Sequence, residues 1–213
     1  MKTRLFTKDT IRAALKAVSV WVIIDFLCIF VGTGSLADSF WIGWGLFAGF
    51  LFIHLIAGFS IGAIKGENDM RRSVVLDHQK EKTGREFDQN ESDSRYDPKK
   101  GVAIALMCAI PGLIFVIGAI ITGDKFDVMR IINRFYFSPY MRLFSLAPDS
   151  LINILYYFIG ALVYPAVYAY GYLRGKVNYE KTVEQLRKND EDYRNGIRRK
   201  RPKVKKRRRG LFG

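Results

Sequence analysis

Two side chains capable of acid–base chemistry, Asp25 and His54, fall inside stretches of sequence that are otherwise almost entirely apolar. A carboxyl and an imidazole at similar depth in neighbouring apolar helices suit a proton relay or a substrate-coordinating pair. An acid at the centre of such a helix costs about 2.5 to 3.5 kcal/mol on translocon-based scales, so Asp25 must face protein or carry a proton. Tyr164 is a third polar group set deep in apolar sequence, and its hydroxyl needs a partner, for which Asp25 is one option.

Other chemistry-bearing patterns are weaker. Gly58-Phe59-Ser60-Ile61-Gly62 has the spacing of a nucleophile elbow, but that motif needs a strand-to-helix turn and here it lies in a continuous apolar run. Ser60 and His54 are six apart, about 120° around a helix, and cannot pair with each other. Cys28 and Cys108 add thiols that with Asp25 and His54 suit zinc, yet no CxxC or HxxxH pairing supports a site. With no Walker A loop, zincin motif, paired catalytic carboxylates or dinucleotide fingerprint, neither an enzyme nor a bound metal or cofactor is expected.

The elements that must position these residues follow from hydropathy. A mean hydropathy of +0.03 conceals a division of the chain into apolar and charged blocks. The apolar blocks lie at 17–33, 41–64, 102–122 and 151–173, each close to the roughly 20 residues a helix needs to cross a hydrocarbon core. They lack the polar residue at every third or fourth position that a soluble amphipathic helix shows. The expected fold is an all-α polytopic membrane protein with four transmembrane helices.

Charge orients it. Five Lys or Arg precede residue 17, nine lie in 65–100 and sixteen follow from Arg174, whereas residues 34–40 have none and 123–150 only four. The positive-inside rule then gives an N-in, C-in bundle. A basic start, an apolar run over 17–31 and the triplet Ser35-Leu36-Ala37 also resemble a cleavable signal peptide, against which Asp25 argues. The expected organisation is a basic N-terminus over 1–16, a transmembrane hairpin over 17–64 and a charged cytoplasmic loop over 65–100. Helices 3 and 4 then occupy 101–173 with an outer amphipathic segment at 124–146, and 174–213 form a cytoplasmic helix and polybasic tail.

In the first hairpin, a turn centred near Ala37 sets Asp25 opposite Gly49 and leaves His54 about 7 Å away along the axis. Gly45 and Gly49 form one GxxxG pair, and His54 points about 140° away from Gly49 but about 40° from Gly58. Two separate polar residues acting as interhelical glue are therefore the plainer expectation. The loop over 65–100, with nine basic and nine acidic residues, reads as solvated, with a short helix over 69–82 and a surface His78. In the outer segment, Asp127, Arg130 and Arg134 at helical spacing among bulky apolar residues predict an interfacial helix with its arginines in the headgroups. The alternative is a re-entrant piece buried in protein. Pro111-Gly112 predicts a kink in the third span, and most tyrosines of the fourth read as an aromatic belt.

Residues 176–193 have helix-compatible text ended by Asn195-Gly196. Beyond lie Arg198, Arg199, Lys200, Arg201, Lys203, Lys205, Lys206, Arg207, Arg208 and Arg209, ten cations in twelve positions. Such a block binds anionic lipid at roughly 1 kcal/mol per residue near the surface. It binds RNA phosphates equally without sequence preference, and no sequence-specific DNA binding is expected. No aromatic residue interleaves to stack bases. The first functional expectation is an accessory or scaffold protein of the cell membrane, most simply a bacterial cytoplasmic membrane, whose tail holds anionic lipid, RNA, a ribosome or a membrane-protein partner. The second is a small transporter or channel subunit with Asp25 and His54 on a polar pathway.

Overall fold

A computed structural model of the protein describes residues 6–32, 40–84, 88, 91, 93–122, 132, 135–140 and 151–194. The described chain is all-helical and is built on four helices: α1 (Lys8–Gly32), α2 (Phe40–Thr83), α3 (Pro98–Thr122) and α4 (Leu151–Arg194). A 3-10 turn, Ser138–Tyr140, precedes α4.

The helix ends obey local chemistry. Thr7 caps α1 in a reciprocal box: its Oγ1 accepts the Thr10 N–H at 3.2 Å, and Thr10 Oγ1 accepts the Thr7 N–H at 2.7 Å. Asp97 caps α3 by accepting the Lys99 N–H at 2.9 Å, and Pro98 fills the first helical position, where a missing N–H does no harm. Gly84, at φ 64°, ends α2 and donates its N–H to the Lys80 carbonyl.

Both α2 and α4 run for 44 residues, about 66 Å and roughly twice a hydrocarbon thickness. By length and composition α2 and α3 qualify as membrane-crossing helices. The short helix expected over 69–82 is not a separate element but the second half of α2, and residues 176–193 likewise continue α4. The 65–100 segment is also less solvated than its charge suggests, because Asp69, Ser73 and Lys100 are buried.

The closest packing joins α2 to α4 in parallel. Gly58, Gly62 and Gly66, spaced by four on α2, face Tyr164, Tyr168 and Tyr172, spaced by four on α4. A Cβ on Gly62 would collide with the Tyr168 carbonyl, one on Gly66 with the Tyr172 carbonyl, and one on Gly171 with the Phe59 carbonyl. The backbones therefore touch, the arrangement that small residues at intervals of four permit. Gly101 of α3 receives the Tyr172 ring edge-on to its backbone, with Ala105 and Ala109 also buried on α3. By contrast, a Cβ at Gly45 or Gly49 would meet nothing within 4 Å, so the contact face of α2 is the later glycine series.

Large apolar side chains point outward on all four helices, including Ile23 and Leu27 of α1, Phe52 and Ile56 of α2, Leu106 and Ile114 of α3, and Ile159 and Leu162 of α4. Asp25 and His54 are completely buried. Replacing Gly62 by Leu should force α2 and α4 apart and lower stability by about 1–3 kcal/mol or more, whereas Gly45→Leu should leave it unchanged. Thermal unfolding of both variants in detergent micelles measures the difference.

Candidate functional site

Trp21 and Asp25 are four apart on α1 and share a face, which the fold turns inward. The Trp21 indole packs edge-on to His54 of α2, with centroids 5.3 Å apart, and lies 4.9 Å from the Tyr164 ring of α4. His54 itself sits 4.7 Å from Tyr164. An acid, an imidazole, an indole N–H and a phenol from three helices thus converge in the apolar middle of the bundle.

A fourth contribution comes from the outer segment. Tyr136, Phe137 and Tyr140 are buried between the helices, Tyr136 at 4.8 Å from Trp21 and Tyr140 at 5.6 Å from His54. Ser138 Oγ donates to the Asp25 carbonyl oxygen at 2.9 Å. The described end of this segment therefore enters the bundle to the level of Asp25, where an interfacial helix would lie on its surface. The reason is legible in the packing: Phe137 fills space beside Gly160 and Tyr136 beside Gly112, hollows left by two glycines. Irregular backbone at such depth is tolerated only when enclosed by protein. Arg130 and Arg134 lie outside the described residues.

The polar atoms of this cluster are unusually bare. Among the described residues, both carboxyl oxygens of Asp25, both ring nitrogens of His54, Trp21 Nε1, Tyr136 Oη and Tyr140 Oη are buried with no partner at hydrogen-bonding geometry. Asp25 and His54 do not bond to each other. Nor does Tyr164 turn to Asp25, since its hydroxyl donates to the Ala17 carbonyl at 3.0 Å. Buried polar groups left unpaired cost about 1–3 kcal/mol each, so a concentration of them marks a place shaped by something other than stability.

At the opposite extreme of satisfaction is a cluster at the α1 N-terminus that sequence reasoning missed. Lys65 Nζ lies 2.7 Å from Asp9 Oδ2 and 2.7 Å from Asp69 Oδ1, and Lys100 Nζ lies 2.7 Å from Asp9 Oδ2 and 2.9 Å from Asp69 Oδ2. Two acids and two bases from α1, α2 and α3 form a closed square. Tyr172 of α4 donates to Asp69 Oδ2 at 3.0 Å, and Lys100 also reaches the Asp93 carbonyl. Ser73 Oγ accepts the Tyr96 N–H at 2.7 Å, and Tyr96 stacks on Tyr172 with 5° between ring planes. Only the four-residue spacing of Lys65 and Asp69 hinted at this pairing; the other three ion contacts of the square join residues more than 30 apart in the chain.

Between the two clusters stands Tyr168, fully buried on α4, its hydroxyl also without a partner among the described residues. Tyr168 and Tyr172 are thus interior groups and not part of a membrane-facing belt, while Tyr170 does face outward. Ser60 is half-buried within the unbroken α2 helix and far from any elbow. Cys28 and Cys108 are free thiols, and no group of three or more His, Cys, Asp or Glu among the described residues is placed to hold a metal ion. The ten tail cations fall outside the described residues.

Comparison with protein-family models, with characterised proteins and with solved structures finds no match. Functional inference rests on the two clusters themselves.

Breaking the square should be severe, because removal of one partner leaves a charge buried and uncompensated. Lys100→Met is expected to lower unfolding free energy by about 3–5 kcal/mol, and chemical denaturation in micelles tests it. Added salt should not mimic the loss, since Lys100 and Asp69 are buried from solvent ions.

The pH response has a definite sign. Burial works against the Asp9 charge, but the Lys100 and Lys65 ammonium groups outweigh it and hold the carboxyl below its ordinary value of 3.8. Its folded-state value is depressed, so its contribution is fully present above about pH 4 and is lost as pH falls through the folded value. The stability gap between wild type and Asp9→Asn should be constant from pH 7 to 5 and close below pH 4; thermal melts across that range decide.

Proposed function

We propose that this chain is a multi-pass membrane protein with four crossings, both termini on the cytoplasmic side, acting as a small transporter or channel-type subunit with its working site at Asp25 and His54. The observation that carries this reading is the set of buried polar groups of Asp25, His54, Trp21, Tyr136 and Tyr140, none of them in a well-formed hydrogen bond, with the Trp21 indole N–H beside the Asp25 carboxyl.

The crossings are supported by an inverted distribution of polarity. Isoleucine, leucine and phenylalanine cover the outside of all four helices while acid and imidazole occupy the inside. Exposed apolar surface on that scale is unusual for a soluble monomer and natural against acyl chains. The orientation follows the thirty-to-four bias of basic residues, which places the Asp9, Lys65, Asp69 and Lys100 square at the cytoplasmic boundary. An ionisable residue facing the interior of such a bundle lies, as a rule, on a substrate or ion pathway.

A second reading concerns the tail and is compatible with the first. Beyond Gly175 the last turns of α4 are exposed and carry surface pairs such as Lys188 with Glu184 at 2.7 Å. The polybasic block that follows in the sequence can engage anionic lipid, RNA or a protein partner as an accessory or scaffold element would.

In proteoliposomes loaded with dyes for K⁺, Na⁺ and H⁺, the wild type is expected to support a pH-dependent flux that Asp25→Asn and His54→Ala reduce. Equal flux in all three proteins rules the pathway out. For the tail, a chain ending at Gly196 should lose anionic lipid, RNA or a protein partner that co-purifies with full-length protein under salt washing. Identical co-purifying material from both chains would dismiss that role.

A further inference from the structure

The rings around Asp25 and His54 are in van der Waals contact, with centroids 4.7 to 5.6 Å apart. No space between them admits a hydrated alkali ion or an organic solute. What such packing does admit is a chain of hydroxyls and single bridging waters, because a phenol both donates and accepts and its O–H rotates freely.

That chain continues toward the cytoplasmic end. Tyr164, Tyr168 and Tyr172 follow one another along one face of α4, each about 6 Å beyond the last. Tyr168 lies one turn from Tyr164 and one turn from Tyr172, close enough to Cys108, Asp69 and Asp9 to couple to them electrostatically. Tyr172 already donates to Asp69. From Asp69, Lys65 touches both carboxylates and so connects the buried acid to Asp9, whose side chain is a third exposed.

We infer that the species carried is the proton, and that Tyr168 and Tyr172 form the inner half of its path from the Asp25 and His54 site to the Asp69 and Asp9 carboxylates. This rests on the pathway reading of the interior site. The groups facing Asp25 are Trp21 and Cys28 of α1, Tyr136 and Tyr140 of the inserted segment, and Tyr164 of α4, with His54 of α2 reached through the Trp21 ring and no lysine or arginine among the described residues. At each step one O–H or N–H bond breaks at the donor as another forms at the acceptor. Every relay group takes up one proton and releases one, and nothing is oxidised or reduced.

Tyr168→Phe separates path from architecture, because the deleted oxygen bonds to nothing among the described residues and its loss should not lower the melting temperature. The protein is reconstituted in phosphatidylcholine vesicles containing phosphatidylglycerol and pyranine, and a potassium diffusion potential is imposed with valinomycin. Wild type and Tyr170→Phe, which alters an outward-facing phenol, are expected to carry equal proton flux. Asp25→Asn and Tyr168→Phe should each lower it by about tenfold or more. Wild-type proton flux in Tyr168→Phe, with flux lost in Asp25→Asn, would overturn the tyrosine path and leave the interior site standing. An Asp25-dependent flux of another ion without proton flux would overturn the proton as the species carried. Absence of any Asp25-dependent flux would remove the pathway reading and this inference together.

Discussion

Backbone contact between α2 and α4 is the constraint on which the remaining geometry depends. Three glycines at intervals of four leave α2 without side chains along one edge, and Gly171 and Gly175 do the same for α4. At Gly62 and Gly66 the helices approach so closely that no side chain fits between them. The α4 tyrosine rings turn aside into the interior, Tyr164 beside Gly58 and Tyr172 over Gly101 of α3. One packing decision thus fixes the line of phenols, the position of α3 and the depth at which His54 meets Trp21.

The two polar clusters sit at opposite limits of the cost of burying charge. In the square of Asp9, Lys65, Asp69 and Lys100, every charge contacts two of opposite sign, and Tyr172 supplies a further hydrogen bond. A buried pair of this kind contributes little net stability over an apolar substitute, yet it fixes which helix ends meet and resists partial disruption. The Asp25 and His54 cluster has the reverse character, with burial but no compensation. A fold optimised for stability alone would fill that volume with leucine. Such groups persist where strain and unsatisfied bonding serve a task.

Much of this was legible in the sequence, and the exceptions have physical causes. The four helices, the continuation of helix beyond residue 176 and the burial of Asp25, His54 and Tyr164 follow from periodicity and hydropathy, signals local to each segment. The partner of Tyr164 did not follow, because a phenol can find a free backbone carbonyl, here that of Ala17, as readily as a carboxylate. The ion square was hidden because its members are scattered over ninety residues of text that reads as ordinary solvated charge. Burial of Tyr168 and Tyr172 was misread as an aromatic belt because a tyrosine near a helix end looks the same in sequence whichever way it faces. Entry of residues 135–140 into the bundle was not legible, because aromatic residues that would fit an interface fit equally well into hollows that Gly112 and Gly160 open in other helices; the rest of the 124–146 segment lies outside the described residues.

These differences make the two ends of the bundle unequal. At the end that holds Asp9 and Lys100, four ion contacts and the stacked pair of Tyr96 and Tyr172 join α1, α2, α3 and α4, so no single helix can move without exposing a buried charge. On the other side the Asp25 site is covered by a short stretch ending in one 3-10 turn, held by aromatic packing and by the Ser138 bond to the Asp25 carbonyl. Tyr136, Phe137 and Tyr140 belong to the same buried aromatic core as Trp21 and Tyr164, so one end of the bundle is closed by ring packing and the other by charge pairing.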